Sequence, residues 1–273
     1  MKRKILLVIG KSDLFKEGEY SFKTEELVEA LKKRNDIELV IVGDYKAEKF
    51  DYSSLSKSIL ELKEGQPITI IMQTHGSFEN DAFEFVVDKD SNISSKDLFT
   101  TIVDVIPSTP VDIFTPTCHG GGMLFDRDIL PLGSTLVTLT DKNDVNNGHD
   151  FAKIAKYIGD YNADLSAYNL LQLYLSKCLK SRFHPHIARS NCIDLSLDDM
   201  LKLYISNPIK FDVSHYNLSG CQDEYKDVFN KIVSSKSEWS IYASEYGIAL
   251  SIILNDMEKK RIIDKVQGRI RRF

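Results

Sequence analysis

Two apolar segments in the first half of the chain each lead into a reactive side chain followed by glycine. Ile68–Met72 leads into His75-Gly76, and Val111–Phe114 leads into Cys118-His119-Gly120. A short apolar run that stops near a glycine is typical of a buried strand entering a tight turn. If both runs are strands of one parallel sheet, His75 and Cys118 lie at its carboxyl edge, where open α/β sheets build their sites.

Strand-like and helix-like patterns alternate around these two segments. This rhythm predicts an α/β fold with a mostly parallel sheet and helices on both faces. We expect strands at Ile5–Ile9, Ile37–Val42, Ile68–Met72, Val111–Phe114 and Thr135–Thr140, with a small additional strand at Phe83–Val87. We expect helices at Thr24–Lys33, with Thr24 as N-cap, at Ser54–Leu62 and at Phe151–Ile158. A further helix is expected to begin after a cap at Ser94 or Ser95 and to carry Leu98, Ile102 and Val105.

The second half of the chain shows helical periodicity without strand patterns of similar strength. Helices are predicted at Leu165–Leu179, Leu197–Ile205, Tyr225–Val233 and Trp239–Ile270. We therefore divide the chain into an α/β domain over residues 1–158 and a helical C-terminal domain over residues 159–273. The helical domain is the region in which we expect any protein partner to bind.

Charge and hydropathy exclude several classes of protein. The net charge is −5, so no general attraction to nucleic acid or to an anionic membrane is expected. No apolar stretch is long enough to span a bilayer. The segment Met1–Gly10 superficially resembles a signal peptide, but its apolar core is short and no cleavage site of small residues follows. A cytoplasmic location is therefore predicted.

The four cysteines follow no paired spacing, which predicts reduced thiols rather than disulfides. They are Cys118, Cys178, Cys192 and Cys221. We expect the last three to be structural. A metal site built from His75, Cys118 and His119 is disfavoured, because adjacent residues on an extended segment point to opposite sides. No metal and no cofactor is therefore predicted.

Two other motif matches fail on spacing. The Gly10-Lys11-Ser12 run lacks the glycine that a phosphate-binding loop needs five residues before Gly10, where Ile5 stands. The His119–Gly122 run matches the oxyanion segment of some esterases, but the chain has no G-x-S-x-G nucleophile elbow. With these two matches rejected, the candidate site that we retain is the pair of His75 and Cys118.

A Cys-x-Gly turn with a His-Gly turn 43 residues upstream resembles the caspase-like cysteine peptidases of clan CD. This group includes caspases, metacaspases, legumain and clostripain, and the Cys118-His119-Gly120 run looks closest to the metacaspase type. The resemblance covers residues 1–158. It implies a caspase-hemoglobinase-like three-layer sandwich with a mostly parallel sheet, followed here by a helical C-terminal region.

The resemblance also implies a mechanism and a set of site residues. Cys118 would be the nucleophile that forms a covalent thioacyl intermediate, and His75 would transfer the proton to the leaving amine. The backbone N–H groups of Gly76 and Cys118 would bind the oxyanion. The expected substrate is a peptide or protein.

Substrate preference follows from the same resemblance only in part. Metacaspases carry an acidic residue two positions before the nucleophile, and this chain has Pro116 there. Asp141 and Asp144 resemble the second acidic contribution that the family makes to its substrate pocket. Two interpretations remain open: one of these residues binds a basic side chain of the substrate, or both belong to a solvated acidic loop.

Two other classes of function also remain open. One is a catalytically silent scaffold or adaptor, which the presence of both Cys118 and His75 disfavours. The other is a cysteine-dependent transferase or non-peptide hydrolase. The connection from His119 to Ser134 is short, so we expect the uncut chain to be competent.

Overall fold

Eleven strands and five α-helices, together with one 3₁₀ helix, make up the part of the chain that the structure describes. The structure is a computed structural model describing residues 1–10, 19–44, 49–140, 154–161, 164–177, 186–190, 193–195 and 216–218. Along the chain the elements are β1 (Arg3–Ile9), α1 (Glu19–Lys32), β2 (Ile37–Val42), α2 (Tyr52–Leu60), β3 (Ile68–Gln73), β4 (His75–Glu79), β5 (Ala82–Asp88), β6 (Ser91–Ser94), α3 (Ser95–Val105), β7 (Val111–Thr115), the 3₁₀ helix (Gly120–Ile129), β8 (Thr135–Thr138), α4 (Ala155–Ile158), α5 (Ala167–Lys177), β9 (His186–Arg189), β10 (Ile193–Leu195) and β11 (Tyr216–Leu218).

Six strands form the central sheet in the spatial order β2-β1-β3-β7-β8-β9. The first five strands in this order run parallel to their neighbours, and only β9 is antiparallel, against β8. Every residue of β1 from Lys4 to Ile9 is buried, as expected for a parallel strand that is covered on both faces. The fold class predicted from the sequence, an α/β sandwich with a mostly parallel sheet, is confirmed.

The strand side chains alternate between two helical layers. Leu6 and Val8 of β1 pack in one cluster with Leu55 of α2 and Ile102 of α3. Because successive side chains of a strand point to opposite faces, Ile5 and its odd-numbered neighbours face the other layer. That layer contains α1, which packs on α4, and α5, which packs on β7 and β8.

A separate three-stranded antiparallel sheet, in the order β4-β5-β6, follows β3 and leads into α3. The β4–β5 turn uses Asn80 and Asp81, both with positive φ, which suits the twist of a two-residue hairpin turn. Ser94 caps α3 by accepting a hydrogen bond from the Asp97 N–H at 3.4 Å, which confirms the predicted cap.

Two predictions about the first half of the chain are wrong in detail. α1 begins at Glu19, so Thr24 lies inside the helix, where it is buried and does not act as a cap. His75 is the first residue of a strand, β4, and not part of a plain turn. At Thr24 a polar residue before an apolar run suggested a boundary that the helix does not have, whereas β3 does end before His75 and a new strand follows it.

The segment beyond residue 158 contains strands that the sequence did not predict. β9 extends the central sheet, and β10 pairs in parallel with β11. Of the predicted helices there, α5 is present within Leu165–Leu179, whereas those at 197–205, 225–233 and 239–270 lie outside the described residues. The division into two domains at residue 158 therefore stays a prediction. Among the described helices, none has the length and apolar character needed to cross a bilayer.

Candidate active site

The two sequence motifs meet at the carboxyl ends of β3 and β7. These strands are neighbours and run parallel, so Gln73 and Thr115, their last residues, lie at the same edge of the sheet. From there the chain reaches His75 and Cys118 within a few residues. Cys118 Sγ lies 4.0 Å from His75 Nδ1, and the cysteine is 6% exposed. A thiol and an imidazole at this distance need only a small adjustment to exchange a proton.

Gly76 allows the backbones of the two motifs to approach each other closely. A Cβ placed on Gly76 would overlap the carbonyl oxygen of Cys118 and would approach a ring carbon of Phe83 to 2.9 Å. Only glycine allows such an approach. The two residues whose N–H groups the sequence assigned to the oxyanion site, Gly76 and Cys118, are thus adjacent in space.

The chain turns sharply after the nucleophile candidate. His119 has φ 55° and ψ 16°, the left-handed conformation that a non-glycine residue rarely adopts. Its carbonyl accepts the Gly122 N–H at 2.8 Å, and the Gly121 N–H donates to Thr140 O at 2.9 Å. The turn is therefore fixed to the segment that follows β8. The half-buried His119 side chain follows Cys118 in this turn.

Four buried threonines lie beneath this turn. Thr115 is the last residue of β7 and Thr117 lies two residues further on, and Thr138 and Thr140 are placed in the same way at the end of β8. All four are at most 1% exposed. The Thr140 hydroxyl accepts the Gly120 N–H at 2.9 Å and donates to Thr117 O at 2.6 Å. The Thr115 and Thr117 hydroxyls bond each other at 2.9 Å. We call these residues the threonine cluster.

The threonine cluster was not predicted from the sequence. Its signal was present in the alternation Thr-x-Thr at the end of two neighbouring strands, in Thr115-Pro116-Thr117 and Thr138-Leu139-Thr140. Threonine is so common in strands that this pattern alone does not indicate a site. Only the pairing of β7 with β8 shows that the two pairs meet.

An aromatic pair lies beside the turn. The rings of Phe78 on β4 and Phe125 on the 3₁₀ helix stack with centroids 5.8 Å apart and planes 16° apart. A Cβ on Gly122 would overlap the Phe78 ring, so this aromatic side chain lies directly against the segment after Cys118. Phe125 remains 61% exposed and adds apolar surface near the two motifs.

The structure gives little information on the residues expected to select the substrate. Pro116 is buried two residues before Cys118, and its position offers no acidic group. Asp141 and Asp144 lie outside the described residues. Within the described ranges, no cluster of three or more histidine, cysteine or carboxylate side chains is placed to hold a metal ion.

Comparison with known proteins gives matches to solved structures alone. No protein-family model matches the chain, and no curated protein matches it. Three solved structures that it resembles are a Drosophila initiator caspase, Dronc (10% identity, TM-score 0.45, covering 69% of this chain and 79% of that one), caspase-1 from Spodoptera frugiperda (14%, 0.44, 69% and 85%), and a secreted C11 cysteine protease from Bacteroides thetaiotaomicron bound to an irreversible peptide inhibitor (12%, 0.40, 64% and 58%).

At these identities and TM-scores, the roles of His75 and Cys118 rest on the geometry of this chain alone.

Proposed function

We propose that this protein is a cysteine peptidase whose dyad is Cys118 and His75. The observation that carries the proposal is the 4.0 Å approach of Cys118 Sγ to His75 Nδ1 at the carboxyl edge of the sheet. A structural cysteine needs no imidazole beside it, whereas a nucleophilic thiol needs a nearby group that accepts its proton. The overlap that forces glycine at position 76 supports a site assembled from both motifs.

The proposed reaction uses these groups in two stages, acylation of Cys118 and hydrolysis of the thioester. The Cys118 thiolate attacks the carbonyl carbon of the scissile peptide bond, and a C–S bond forms. The C–N bond then breaks as His75 delivers its proton to the departing amine, which leaves a thioester on Cys118. Water attacks the thioester, and His75 takes a proton from that water. The C–S bond then breaks, the acid product leaves, and the Cys118 thiolate and protonated His75 of the starting state are restored.

The oxyanion that forms at each addition needs hydrogen-bond donors. The backbone N–H groups of Gly76 and Cys118 suit this role, because the two residues are in backbone contact and a peptide N–H adds no charge of its own. Donors of this kind are rigid, so little reorganisation is needed when the charge appears.

No cleavage of the chain is required in this scheme. The connection from Cys118 to β8 is occupied by the 3₁₀ helix Gly120–Ile129, which buries Met123, and Leu130 follows it into the core. An ordered connection can support the site in the uncut chain. We expect mass spectrometry of the active protein to find an intact bond throughout 119–134, and obligatory cleavage there before turnover would contradict this expectation.

The test is a panel of fluorogenic peptides that differ in the residue before the scissile bond, with arginine, lysine, aspartate and leucine as members. We expect hydrolysis of at least one member by the wild type and none by Cys118→Ala, with the fold unchanged in circular dichroism. Cys178→Ala is the matched control and should keep wild-type turnover. Full activity in Cys118→Ala would refute the proposal.

The panel also addresses substrate preference. If Asp141 and Asp144 receive a basic side chain, arginine or lysine should be preferred and Asp141→Asn or Asp144→Asn should weaken that preference. Ester and isopeptide substrates tested beside the peptides separate a peptidase from a transferase or non-peptide hydrolase. A thiol that reacts with probes while no substrate of any kind turns over would favour the scaffold alternative.

A further inference from the structure

Thr140 lies at the centre of the threonine cluster, two residues beyond β8, and it is 1% exposed. Its hydroxyl makes one accepted and one donated hydrogen bond, from Gly120 N–H at 2.9 Å and to Thr117 O at 2.6 Å. These two partners stand on either side of Cys118 and His119. One hydroxyl therefore closes the turn that carries the nucleophile candidate.

The bond to Thr117 O has a consequence for the neighbouring N–H group. Thr117 C=O and Cys118 N–H belong to the same planar trans peptide, in which the two groups point in opposite directions. An oxygen held by Thr140 directs the Cys118 N–H away from Thr140. On the other side of Cys118, the Cys118 carbonyl oxygen lies so close to the backbone of Gly76 that a Cβ at position 76 would overlap it.

Thr140 is itself held in place. Its N–H donates to Thr138 Oγ1 at 3.3 Å, and the Thr138 hydroxyl donates to Thr140 O at 3.3 Å. The same carbonyl accepts the Gly121 N–H at 2.9 Å. The hydroxyl of Thr140 thus acts from a fixed backbone, which is what a group that orients another needs.

We propose that Thr140 is a positioning residue for peptide hydrolysis, since its hydroxyl orients the Cys118 N–H toward the oxyanion of the substrate. The inference rests on the proposed peptidase function and adds to it a residue outside both motifs. Thr140 touches neither the substrate nor the reacting atoms.

The variant that isolates the hydroxyl is Thr140→Val, which keeps the shape and removes both hydrogen bonds. Thr140→Ser keeps the hydroxyl. Thr69→Val is the matched control, because Thr69 is equally buried and its hydroxyl also accepts one bond, from Arg3 at 3.0 Å, and donates one, to Leu165 O at 2.8 Å. Thr69 lies near the amino end of β3, at the opposite edge of the sheet.

Two reactions of Cys118 are then compared in each variant. Peptide hydrolysis passes through an oxyanion, whereas alkylation by iodoacetamide displaces iodide and forms none. We expect Thr140→Val to lower kcat about 10- to 100-fold with little change in KM, somewhat less than the loss of a whole oxyanion donor. The alkylation rate should stay within about twofold of wild type, and Thr140→Ser should restore most of kcat.

Other outcomes would overturn the inference. Equal losses of hydrolysis and alkylation in Thr140→Val would mean that Thr140 only shapes the turn, as would a loss of kcat in Thr69→Val of the same size. If Thr140→Val does not fold, Thr140→Ala replaces it, and failure of both to fold would assign Thr140 to stability alone. Unchanged kcat in Thr140→Val, with Cys118→Ala inactive, refutes only this inference. A wild type that hydrolyses no peptide refutes the proposed function and this inference together.

Discussion

The two edges of the central sheet are stabilised by different kinds of polar contact. At the carboxyl ends of β7 and β8, the threonine cluster bonds to backbone groups through neutral hydroxyls. At the amino ends of β1, β3 and β7, the polar contacts are made by charged side chains. Arg3 bonds Asp112 and Asp164 at 2.7 Å each and Thr69 at 3.0 Å.

The contrast has an electrostatic reason. A charge in a poorly solvated region acts over many ångströms and shifts the pKa of any titratable neighbour. Burial raises the pKa of Asp112 from 3.8 to about 6, although Arg3 opposes the shift. Such a pair beneath Cys118 and His75 would disturb their protonation, whereas neutral hydroxyls fix the backbone without adding a charge.

Removal of the imidazole is expected to have the largest effect at the carboxyl edge. His75→Ala should lower kcat about 10²- to 10⁴-fold, the usual contribution of general acid–base catalysis. Stopped-flow or discontinuous peptide assays measure it, with His119→Ala as the control that retains most activity. Full turnover in folded His75→Ala would place the base elsewhere.

A methyl group at position 76 should damage both activity and stability. Gly76→Ala places a Cβ on the Cys118 carbonyl oxygen, and since backbone cannot yield cheaply, we expect a loss of about 1–3 kcal/mol and of most turnover. Gly159→Ala is the matched control, because its Cβ would meet atoms no closer than 3.9 Å. Urea unfolding of both variants checks the difference, and equal stabilities would contradict the close approach seen here.

The amino edge should affect stability without affecting catalysis. Arg3→Met leaves Asp112 without its ion-pair partner, at a cost of about 2–3 kcal/mol in the free energy of unfolding, while kcat stays within about twofold. Lys32→Met removes the exposed pair with Glu29 and should cost under about 0.5 kcal/mol. A fall in kcat for folded Arg3→Met would show that the two edges are not independent.

A pH dependence of stability is also expected at the amino edge. The native state binds the Asp112 proton more tightly than the unfolded chain does. The contribution of Asp112 to the free energy of unfolding therefore falls as the pH rises from about 4 to about 6, and it is constant above that range. Relative to Asp112→Asn, the wild type should lose about 1–3 kcal/mol over this interval. Urea unfolding of both proteins at pH 4, 5, 6 and 7 measures this loss. A wild type that becomes more stable relative to Asp112→Asn as the pH rises would contradict the prediction.

The buried strands were predictable from the sequence because each is a dense apolar run. β2 matches its predicted bounds, β3 and β7 extend theirs by one residue, and α3 begins after Ser94, one of the two predicted caps. The approach of His75 to Cys118 was also predictable, since adjacent parallel strands end at one edge.

The elements that were missed lack such a signal. β4 is half-exposed and carries His75, Gly76 and Ser77 in place of alternating apolar residues. β9 has four residues and depends on pairing with β8, a partner about 50 residues earlier in the chain. Likewise, the threonine cluster arises from contacts between two strands, and the Thr-x-Thr pattern in each strand does not show that the two pairs meet.

The glycines around the turn bear on how sequence variants of this chain would be read. Gly76 is required by the Cys118 carbonyl and Gly120 by the Thr138 hydroxyl, so both are demanded by packing whether or not a bond is ever cleaved. Under the proposed function, a descendant that had lost peptidase activity would still keep these glycines and would remain recognisable by them. Substitution of Cys118 or His75, with both glycines retained, would then mark the lineages in which hydrolysis had been lost.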